Sequence, residues 1–378
     1  MDFSRTEAQD ELAGLTRQIL DGRAAGETAW TAGAADGADG FDADPFDAAA
    51  WAELAGAGVL AAGLPEALGG AGTGLLEHCS VLAEIGRAVT PLPYLDSIVL
   101  GAGALARFGS PERQRRWAEP AGRGEVILTA ALAEDDGDDP RAPATSARRV
   151  GDRWVLSGTK TTVPAAAQAG LFLVPAATEP GGTAVFLVAP DDPGVTVAGQ
   201  QVTGGAAAGR LELDGAELDG DRLLGAPDGE VAGWLAAHAT AGLCARQLGV
   251  IERALELTAE YARSRVQFGR PIGAFQAVAQ RLADAYVDVE AARLTMWQAA
   301  WRLAAGLPCE TELATAKFWA ADAGHRVAHT AVHVHGGVGI DVSYPLQRYF
   351  TAAKAGEFAL GGATTQLRRI GALLASAG

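Results

Sequence analysis

The spacing of apolar residues changes twice along this chain, from a helical period to a strand period and back. Residues 1–122 carry helical patterns, residues 123–226 carry short β-rich runs between turns, and residues 227–378 are helical again. Consecutive strands without helices between them predict an antiparallel sheet or a small barrel. The pattern therefore predicts an α+β fold, mainly α, with an N-terminal helical domain, a central β domain and a C-terminal helical domain at these boundaries.

Local signals mark several element boundaries. Ser4 and Glu7 have the spacing of a capping box before the first apolar helix pattern. Residues 24–47 shift to Ala, Gly and Asp, which predicts an exposed acidic connection. The Gly151-Asp152 pair between two β-rich runs predicts a hairpin. Long amphipathic helices are expected at 230–263, 275–304 and 310–334.

Charge and cysteine content exclude several classes of partner and site. The 46 acidic residues outnumber the 30 basic ones, and the net charge of −16 has the wrong sign for a nucleic-acid partner. The three cysteines are far apart and form no CxxC pair, so neither a disulfide framework nor a zinc site is expected. The first residues lack the basic and apolar stretches of a signal peptide, and no segment has the length of a membrane span. A cytoplasmic location without membrane insertion is expected.

Two segments carry a specific resemblance. Residues 261–284 read YARSRVQFGRPIGAFQAVAQRLAD, and residues 329–345 read HTAVHVHGGVGIDVSYP. Both resemble the acyl-CoA dehydrogenase family of flavoenzymes, and shorter similar stretches at 64–72, 83–95, 107–117 and 221–225 extend the resemblance over nearly the whole chain. The resemblance implies a helical domain, a β domain and a C-terminal four-helix bundle, assembled as a tetramer with FAD at subunit interfaces.

The resemblance also implies a divided cofactor site. In the family a carboxylate removes the α-proton of an acyl-CoA while FAD accepts the β-hydride. One subunit's β domain holds the flavin ring, and the neighbour's C-terminal helices hold the diphosphate and adenosine. The residues that match this second half are Arg265, Phe268, Phe275, Gln276, His333, Gly336, Gly337, Thr364 and Gln366.

Residue chemistry supports this half-site. Arg265 is a permanent cation that can form paired hydrogen bonds with a phosphate. Gly336 and Gly337 lack a Cβ, which allows a diphosphate to approach the backbone. His333 replaces a glutamine that the family uses at this point. The alternative is that Arg265 is a surface charge and the glycines only end a helix.

The flavin-ring half departs from the family pattern. Residues 132–140 read LAEDDGDDP where the family has small hydroxyl and glycine positions, so carboxylates would oppose an electron-rich reduced flavin. Thr162, Val163 and Pro164 stand where the family has an indole and a hydroxyl donor. We therefore expect this chain to lack a complete binding site for the flavin ring.

The catalytic base also departs from the family pattern. Gly362 occupies the position at which most members carry the catalytic glutamate, and Ala239 occupies the alternative position on an earlier helix. No catalytic residue is therefore assigned to this chain. Glu357 and His238, which lie near these positions in sequence, are the candidate substitutes.

Four histidines cluster at positions 325, 329, 333 and 335. The first three share one helical face at a spacing that can ligate a metal. No HExxH motif accompanies them, so we predict no metal site. The alternatives are cofactor contact by His333 and helix packing by the others.

Together these patterns resemble the partner subunit of the α2β2 acyl-CoA dehydrogenases of actinobacteria, which act on CoA esters of sterol side chains and similar bulky acids. The resemblance implies a catalytic partner subunit that carries the glutamate, an acyl-CoA substrate, and an electron-transfer flavoprotein as electron acceptor. Two alternatives remain: a self-sufficient homotetrameric flavoenzyme with an unconventional base, and a scaffold without cofactor.

Overall fold

A computed structural model describes residues 3–376 except 25–45, 136, 138 and 180. The acidic connection expected at 24–47 therefore lies almost wholly outside the described residues. The predicted order of helices, strands and helices is confirmed.

The N-terminal part is built from helices and short turns. Among its described residues the α-helices are α1 (Glu7–Ala24), α2 (Ala48–Gly56), α3 (Leu75–Ala88), α4 (Gly103–Phe108), α5 (Pro111–Arg113) and α6 (Glu119–Gly122). A 3-10 turn spans Glu66–Leu68, a π-helical segment Tyr94–Ala102 leads into α4, and a second one, Gln114–Ala118, joins α5 to α6.

The cap of α1 differs from the prediction. Thr6 N donates to Gln9 Oε1 at 2.7 Å, and Gln9 N donates to Thr6 Oγ1 at 3.2 Å. These reciprocal bonds form the capping box that was expected at Ser4 and Glu7. The motif match at Ser4 was two residues too early, because Thr6 and Gln9 have the same spacing and directly flank the first helical turn.

Eight strands form one mixed sheet. They are β1 (Ile127–Ala130), β2 (Ser146–Val150), β3 (Arg153–Pro164), β4 (Ala169–Thr178), β5 (Gly182–Val188), β6 (Val195–Gln200), β7 (Ala208–Asp219) and β8 (Leu223–Leu224). The main order is β6-β7-β3-β2-β4-β5-β8, and β1 pairs with β4. The β2–β3 hairpin turns at Gly151 as predicted, but β1 and β2 both run parallel to β4. The sheet is therefore not purely antiparallel.

Strand β4 connects two hydrophobic cores. Leu171 and Leu173 pack into the core shared with the helices, whereas Phe172 and Val174 pack into the core of the β domain. Successive strand residues point to opposite faces, so a strand buried on both faces must be apolar throughout. This explains the continuous apolar run of β4.

The C-terminal part contains the three long helices that the sequence predicts. They are α7 (Glu230–Ser264), α8 (Gln276–Ala304) and α9 (Glu310–His335). Two shorter helices follow, α10 (Leu346–Phe358) and α11 (Ala363–Ser376). Helix α9 packs against α7, α8, α10 and α11, so the predicted bundle has a fifth, terminal helix.

Glycines allow α3 and α7 to cross in direct backbone contact. A Cβ on Gly249 would lie 1.8 Å from the carbonyl oxygen of Ala83, and a Cβ on Gly86 would lie 2.0 Å from that of Arg246. Arg87, at the end of α3, adds ion pairs to Glu256 at 2.8 Å and Glu252 at 3.4 Å on α7. The N-terminal and C-terminal helices are thereby held at one fixed separation.

We expect Gly249→Ala to destabilise the chain by more than about 3 kcal/mol, because the new methyl group overlaps a backbone atom that cannot rotate away. The matched control is Gly233→Ala on the same helix, where no atom lies within 4 Å of the added Cβ. That control should stabilise the helix by about 0.5 to 1 kcal/mol. Urea unfolding of both variants measures the difference, and equal stabilities would show that the crossing tolerates a side chain.

Candidate functional site

Helix α7 ends in a hairpin that presents an aromatic side chain to solvent. Arg265 follows the helix, and strands β9 (Val266–Gln267) and β10 (Arg270–Pro271) pair around Phe268 and Gly269. Phe268 has a positive φ of 52° and is 92% exposed. Its ring makes an edge contact with Phe275, which also packs under the guanidinium of Arg270 at 4.2 Å. A strained and exposed aromatic residue is typical of a binding surface.

A ring stack brings the end of α9 to the same end of the bundle. His335 stacks on Tyr261 with ring centroids 4.2 Å apart, and its Nδ1 lies 2.8 Å from the carbonyl oxygen of Ala331. Tyr261 is one helical turn before Arg265, and Gly336 follows His335 directly. The hairpin and the two glycines therefore lie on one end of the helical bundle.

The backbone at the two glycines is open. Gly336 has a φ of +65°, which favours glycine, and no atom lies within 4 Å of a Cβ placed on Gly336 or Gly337. Both residues are exposed. An anionic group can therefore approach this backbone closely.

The polar residues predicted for this surface have different environments. Arg265, Gln276 and His333 are exposed, and no described residue forms a side-chain hydrogen bond or an ion pair with Arg265. Thr364 is also exposed, on α11. Gln366 is instead buried, and its Nε2 donates to the carbonyl oxygens of Leu360 at 2.8 Å and Gly361 at 3.2 Å. In this chain Gln366 closes the turn before α11.

A cavity of about 1010 Å³ lies between the N-terminal helices, the sheet and the C-terminal helices. Its walls include the end of α3, the π-helical segment Tyr94–Ala102, α7 and α10. The β domain contributes residues 130, 132–135, 137, 161–162, 164–165 and 202–208. The cavity therefore contains the segment that the resemblance assigns to the flavin ring.

An internal hydrogen-bond network holds the β-domain wall in place. Glu134 accepts hydrogen bonds from Lys160 Nζ at 2.7 Å, from Thr145 N at 2.8 Å and from Thr145 Oγ1 at 2.6 Å. Burial raises the pKa of Glu134, but these donors outweigh it and hold the pKa below its usual range. The fully buried Lys160 balances the charge of Glu134, so this carboxylate stabilises the fold instead of opposing a ligand. Asp135 remains a carboxylate on the cavity wall.

Thr162 also has an internal partner. It has a positive φ of 49°, and its backbone N donates to Gln200 Oε1 at 2.7 Å. This amide is therefore already bonded within the β domain. Pro164, at the end of the same segment, has no backbone N–H to offer.

The two family base positions carry no acid. Ala239 lies on the cavity wall and is 2% exposed. Gly362 precedes α11, and a Cβ there would be 3.7 Å from the carbonyl oxygen of Glu357 and 4.0 Å from Phe358. Because these are ordinary contacts, packing does not require a glycine at position 362.

The two substitute bases that the sequence suggested lie outside the described cavity lining. Glu357 bonds to Lys354 at 2.5 Å and to His325 at 3.2 Å. His238 stacks on Trp234 with ring centroids 3.8 Å apart, and burial lowers the pKa of His238 to about 4. Neither arrangement points to proton abstraction in the cavity.

Asp96 is a cavity residue that the sequence analysis missed. It lies in the π-helical segment Tyr94–Ala102, and burial raises the pKa of its carboxyl to about 6 although Arg246 opposes the shift. Arg246 lines the same cavity from α7. The available signal was an acid within the apolar run PLPYLDSIVL, where a helix faces the core.

The histidines divide between surface and core. His325 and His329 are exposed with ring centroids 4.3 Å apart, and His333 is exposed further along α9, whereas His335 is buried. Within the described residues no group of His, Cys, Asp or Glu is placed to hold a metal ion.

Among the described helices none is long and apolar enough to cross a membrane.

Comparisons with known proteins agree with this architecture. Three domain families match: acyl-CoA dehydrogenase N-terminal domain at residues 6–125, middle domain at 129–216 and C-terminal domain at 229–375. The chain is 50% identical to acyl-CoA dehydrogenase FadE27 of Mycobacterium tuberculosis (strain ATCC 25618 / H37Rv) over 99% of both chains.

Solved structures give the same result. The ChsE4-ChsE5 complex from Mycobacterium tuberculosis contains a chain that is 51% identical, with a TM-score of 0.91 and 99% of each chain covered. A chain of the Tcur3481-Tcur3483 steroid ACAD, G363A variant, is 40% identical, with a TM-score of 0.88 and 98% of each chain covered.

These matches define a three-domain fold of helical, β and helical parts. The chain belongs to the acyl-CoA dehydrogenase family, whose members are FAD-dependent oxidoreductases. The sequence-based prediction of the family is confirmed.

We expect Asp96→Asn to stabilise the chain in a pH-dependent way. The folded-state pKa of Asp96, about 6, lies above the ordinary aspartate value of 3.8, so ionisation of Asp96 destabilises the fold increasingly as pH rises between about 4 and 6. The free energy of unfolding of Asp96→Asn should exceed that of the wild type by about 2 to 3 kcal/mol at pH 7.5 and by about 1 kcal/mol at pH 4.5. Chemical unfolding at both pH values measures it, with exposed Asp284→Asn as control; a gain that does not change with pH would contradict burial of a charged Asp96.

Proposed function

We propose that this chain is the non-catalytic subunit of an acyl-CoA dehydrogenase that desaturates a CoA thioester between its α and β carbons. The observation that carries the proposal is the absence of an acid at both family base positions, Ala239 and Gly362, combined with an open surface for a cofactor at the other end of α7. A subunit of this kind lends part of a cofactor site to a partner. FAD, when bound, supplies the hydride acceptor.

The residues on the bundle end fit the diphosphate and adenosine of FAD. Arg265 offers a cation without a competing acidic partner among the described residues, and Gly336 and Gly337 offer open backbone. Phe268, Phe275, Gln276, His333 and Thr364 complete the half-site, and Gln366 supports it by closing the turn before α11. The residues at the family's flavin-ring position fit FAD less well, because the backbone N of Thr162 is already hydrogen-bonded and Pro164 has no backbone N–H to donate.

Helix geometry favours sharing between subunits. Val250 is the last residue of α7 on the cavity wall, and Arg265 follows it fifteen residues later. At a rise of about 1.5 Å per residue, they are roughly 22 Å apart along the helix. A diphosphate held at Arg265 would therefore lie far from this chain's own cavity, which favours a flavin-ring site in a different subunit.

The exposed apolar surface supports assembly with a partner. All large hydrophobic side chains that are exposed among the described residues, except Phe3 and Val150, lie between residues 266 and 374. Concentration of exposed apolar residues on one part of a protein marks an interaction surface. The similar chain in the ChsE4-ChsE5 complex supports a second acyl-CoA dehydrogenase subunit, here proposed to carry the catalytic glutamate, as this partner.

The substrate we propose is a CoA ester of a bulky acid such as a sterol side chain. The support is the similarity to a protein described as a steroid ACAD. Electrons would pass to an electron-transfer flavoprotein. These assignments describe the complex as a whole, since this chain supplies no base of the family type.

A second candidate is a self-sufficient flavoenzyme, favoured by Asp96. This carboxyl lines the cavity with a pKa of about 6, in the range suited to a general base near neutral pH. If Asp96 were the base, Asp96→Asn would abolish dehydrogenation by the chain without a partner. Under the first proposal the chain alone has no such activity to lose.

We expect Arg265→Met to lower the flavin content of the complex. The wild-type heterotetramer should hold about one FAD per two chains. The variant should bind FAD at least about tenfold more weakly, because a charge-assisted hydrogen bond contributes roughly 1.5 to 3 kcal/mol. The flavin absorbance of the purified complex, divided by protein concentration, measures occupancy.

The control for this experiment is Arg263→Met, which removes an exposed arginine two residues earlier on α7. It should leave flavin content unchanged. Loss of flavin in both variants, or in neither, would show that Arg265 does not contact the cofactor. A complex that contains no flavin at all would favour the cofactor-free scaffold.

We expect Gly362→Glu to change the dehydrogenase activity of the complex by less than about twofold. Position 362 has room for a side chain. A correctly placed base increases the reaction rate roughly 10²- to 10⁴-fold. Restoring the acid should nevertheless give no gain, because we propose that no flavin ring is seated in this subunit. Gly371→Glu on α11 is the control for the added charge, since no atom lies within 4 Å of a Cβ there.

Activity is measured with a bulky acyl-CoA and an artificial electron acceptor. Removal of the partner's glutamate should abolish it. A large gain from Gly362→Glu would mean that this chain houses a working flavin site.

A further inference from the structure

We propose that the cavity of this chain binds a second, unreacted ligand: an apolar molecule with a terminal hydroxyl group that Arg246 and Asp96 recognise together. The inference rests on the proposed function, in which no flavin ring fills this cavity. It gives the cavity of the non-catalytic subunit a binding role of its own.

The size and lining of the cavity suit a lipid-like molecule. Its volume of about 1010 Å³ is at the upper end of the range for small-molecule sites. Leu95, Leu100, Leu243, Val250 and Leu360 are among its apolar wall residues. Burial of an apolar body against these side chains supplies affinity in proportion to the area removed from water.

Arg246 is a cation on the cavity wall without a bonded partner in the described part of the chain. The other two basic residues of the wall have acceptors: Arg348 donates to the carbonyl oxygen of Val89 at 3.2 Å, and Lys354 bonds to Glu357 at 2.5 Å. No comparable hydrogen bond or ion pair is formed by Arg246 within the described residues. A partly buried guanidinium that faces an apolar cavity favours a ligand that brings an acceptor.

Asp96 limits the chemical nature of that acceptor. It interacts electrostatically with Arg246 but forms no ion pair with it, so both groups remain available on the wall. A ligand carboxylate would be repelled by Asp96, and a ligand amine would be repelled by Arg246. A hydroxyl group accepts a hydrogen bond from Arg246 and donates one to Asp96, and it adds no charge to the cavity.

The helix crossing positions both recognition groups before a ligand binds. The carbonyl oxygen of Arg246 lies against Gly86 of α3, where an added Cβ would be only 2.0 Å away. Gly242, one turn earlier on α7, packs against Leu95, which directly precedes Asp96 in the chain. Recognition groups fixed by packing reduce the entropy lost on binding.

The test compares ligands that differ only at one end. Isothermal titration calorimetry of the purified heterotetramer with 1-decanol, decyl methyl ether and decanoate measures the preference for a hydroxyl donor and for a negative charge. Decanol should bind at least about tenfold more tightly than either of the other two. Equal affinities for the three ligands in the wild-type complex would overturn the proposal without any variant.

Substitutions test the two residues separately. Arg246→Met should weaken decanol binding at least about tenfold, whereas Asp96→Asn should strengthen decanoate binding at least about tenfold by removing the opposing charge. Arg253→Met removes a surface arginine from the same helix and should leave all three affinities unchanged. Unaltered decanol affinity in a folded Arg246→Met complex would exclude Arg246 from the site.

Flavin stoichiometry separates failure of this inference from failure of the proposed function. One flavin per chain, with decanol competing for the flavin, would overturn the proposed function and this inference together. About one flavin per two chains without any preference for the hydroxyl ligand would overturn this inference alone.

Discussion

Backbone contact between α3 and α7 is the constraint on which the rest of the structure depends. Gly86 and Gly249 allow the two helices to approach until main-chain atoms touch. The crossing joins the N-terminal helices to the C-terminal bundle, and the cavity forms where the sheet covers the opening between them. Arg87 holds the same contact through its bonds to α7, where Glu252 and Glu256 share its charge.

Helix α7 links the cavity to the proposed cofactor surface while keeping them apart. Ala239 and Arg246 lie on the cavity wall, and Arg265 lies beyond the other end of the helix. A rigid helix of 35 residues cannot bring these positions together. This separation is the structural basis for the proposal that the cofactor is divided between subunits.

Charged residues near the cavity have distinct roles that their type alone does not reveal. Glu134 and the fully buried Lys160 neutralise each other within the β domain. Glu357 is bonded to Lys354, a residue of the cavity wall, and to the exposed His325. Asp96 faces the cavity with a raised pKa, since its burial is not offset by a bonded cation. A carboxylate with such a pKa can serve either recognition or proton transfer.

The sequence by itself determined the family, the order of the three parts and the long helices, because periodicity and the motifs around Arg265 and Gly336 are local properties. It also located the hairpin at Gly151. The parallel pairing of β1 and β2 with β4 was not readable, since the strands that pair are distant in the chain. Only the tertiary structure decided that Asp96 and Arg246 face one cavity, that Gln366 is buried and that Glu357 is not in the cavity wall. Burial and pairing depend on which elements meet in space, and no local pattern records that.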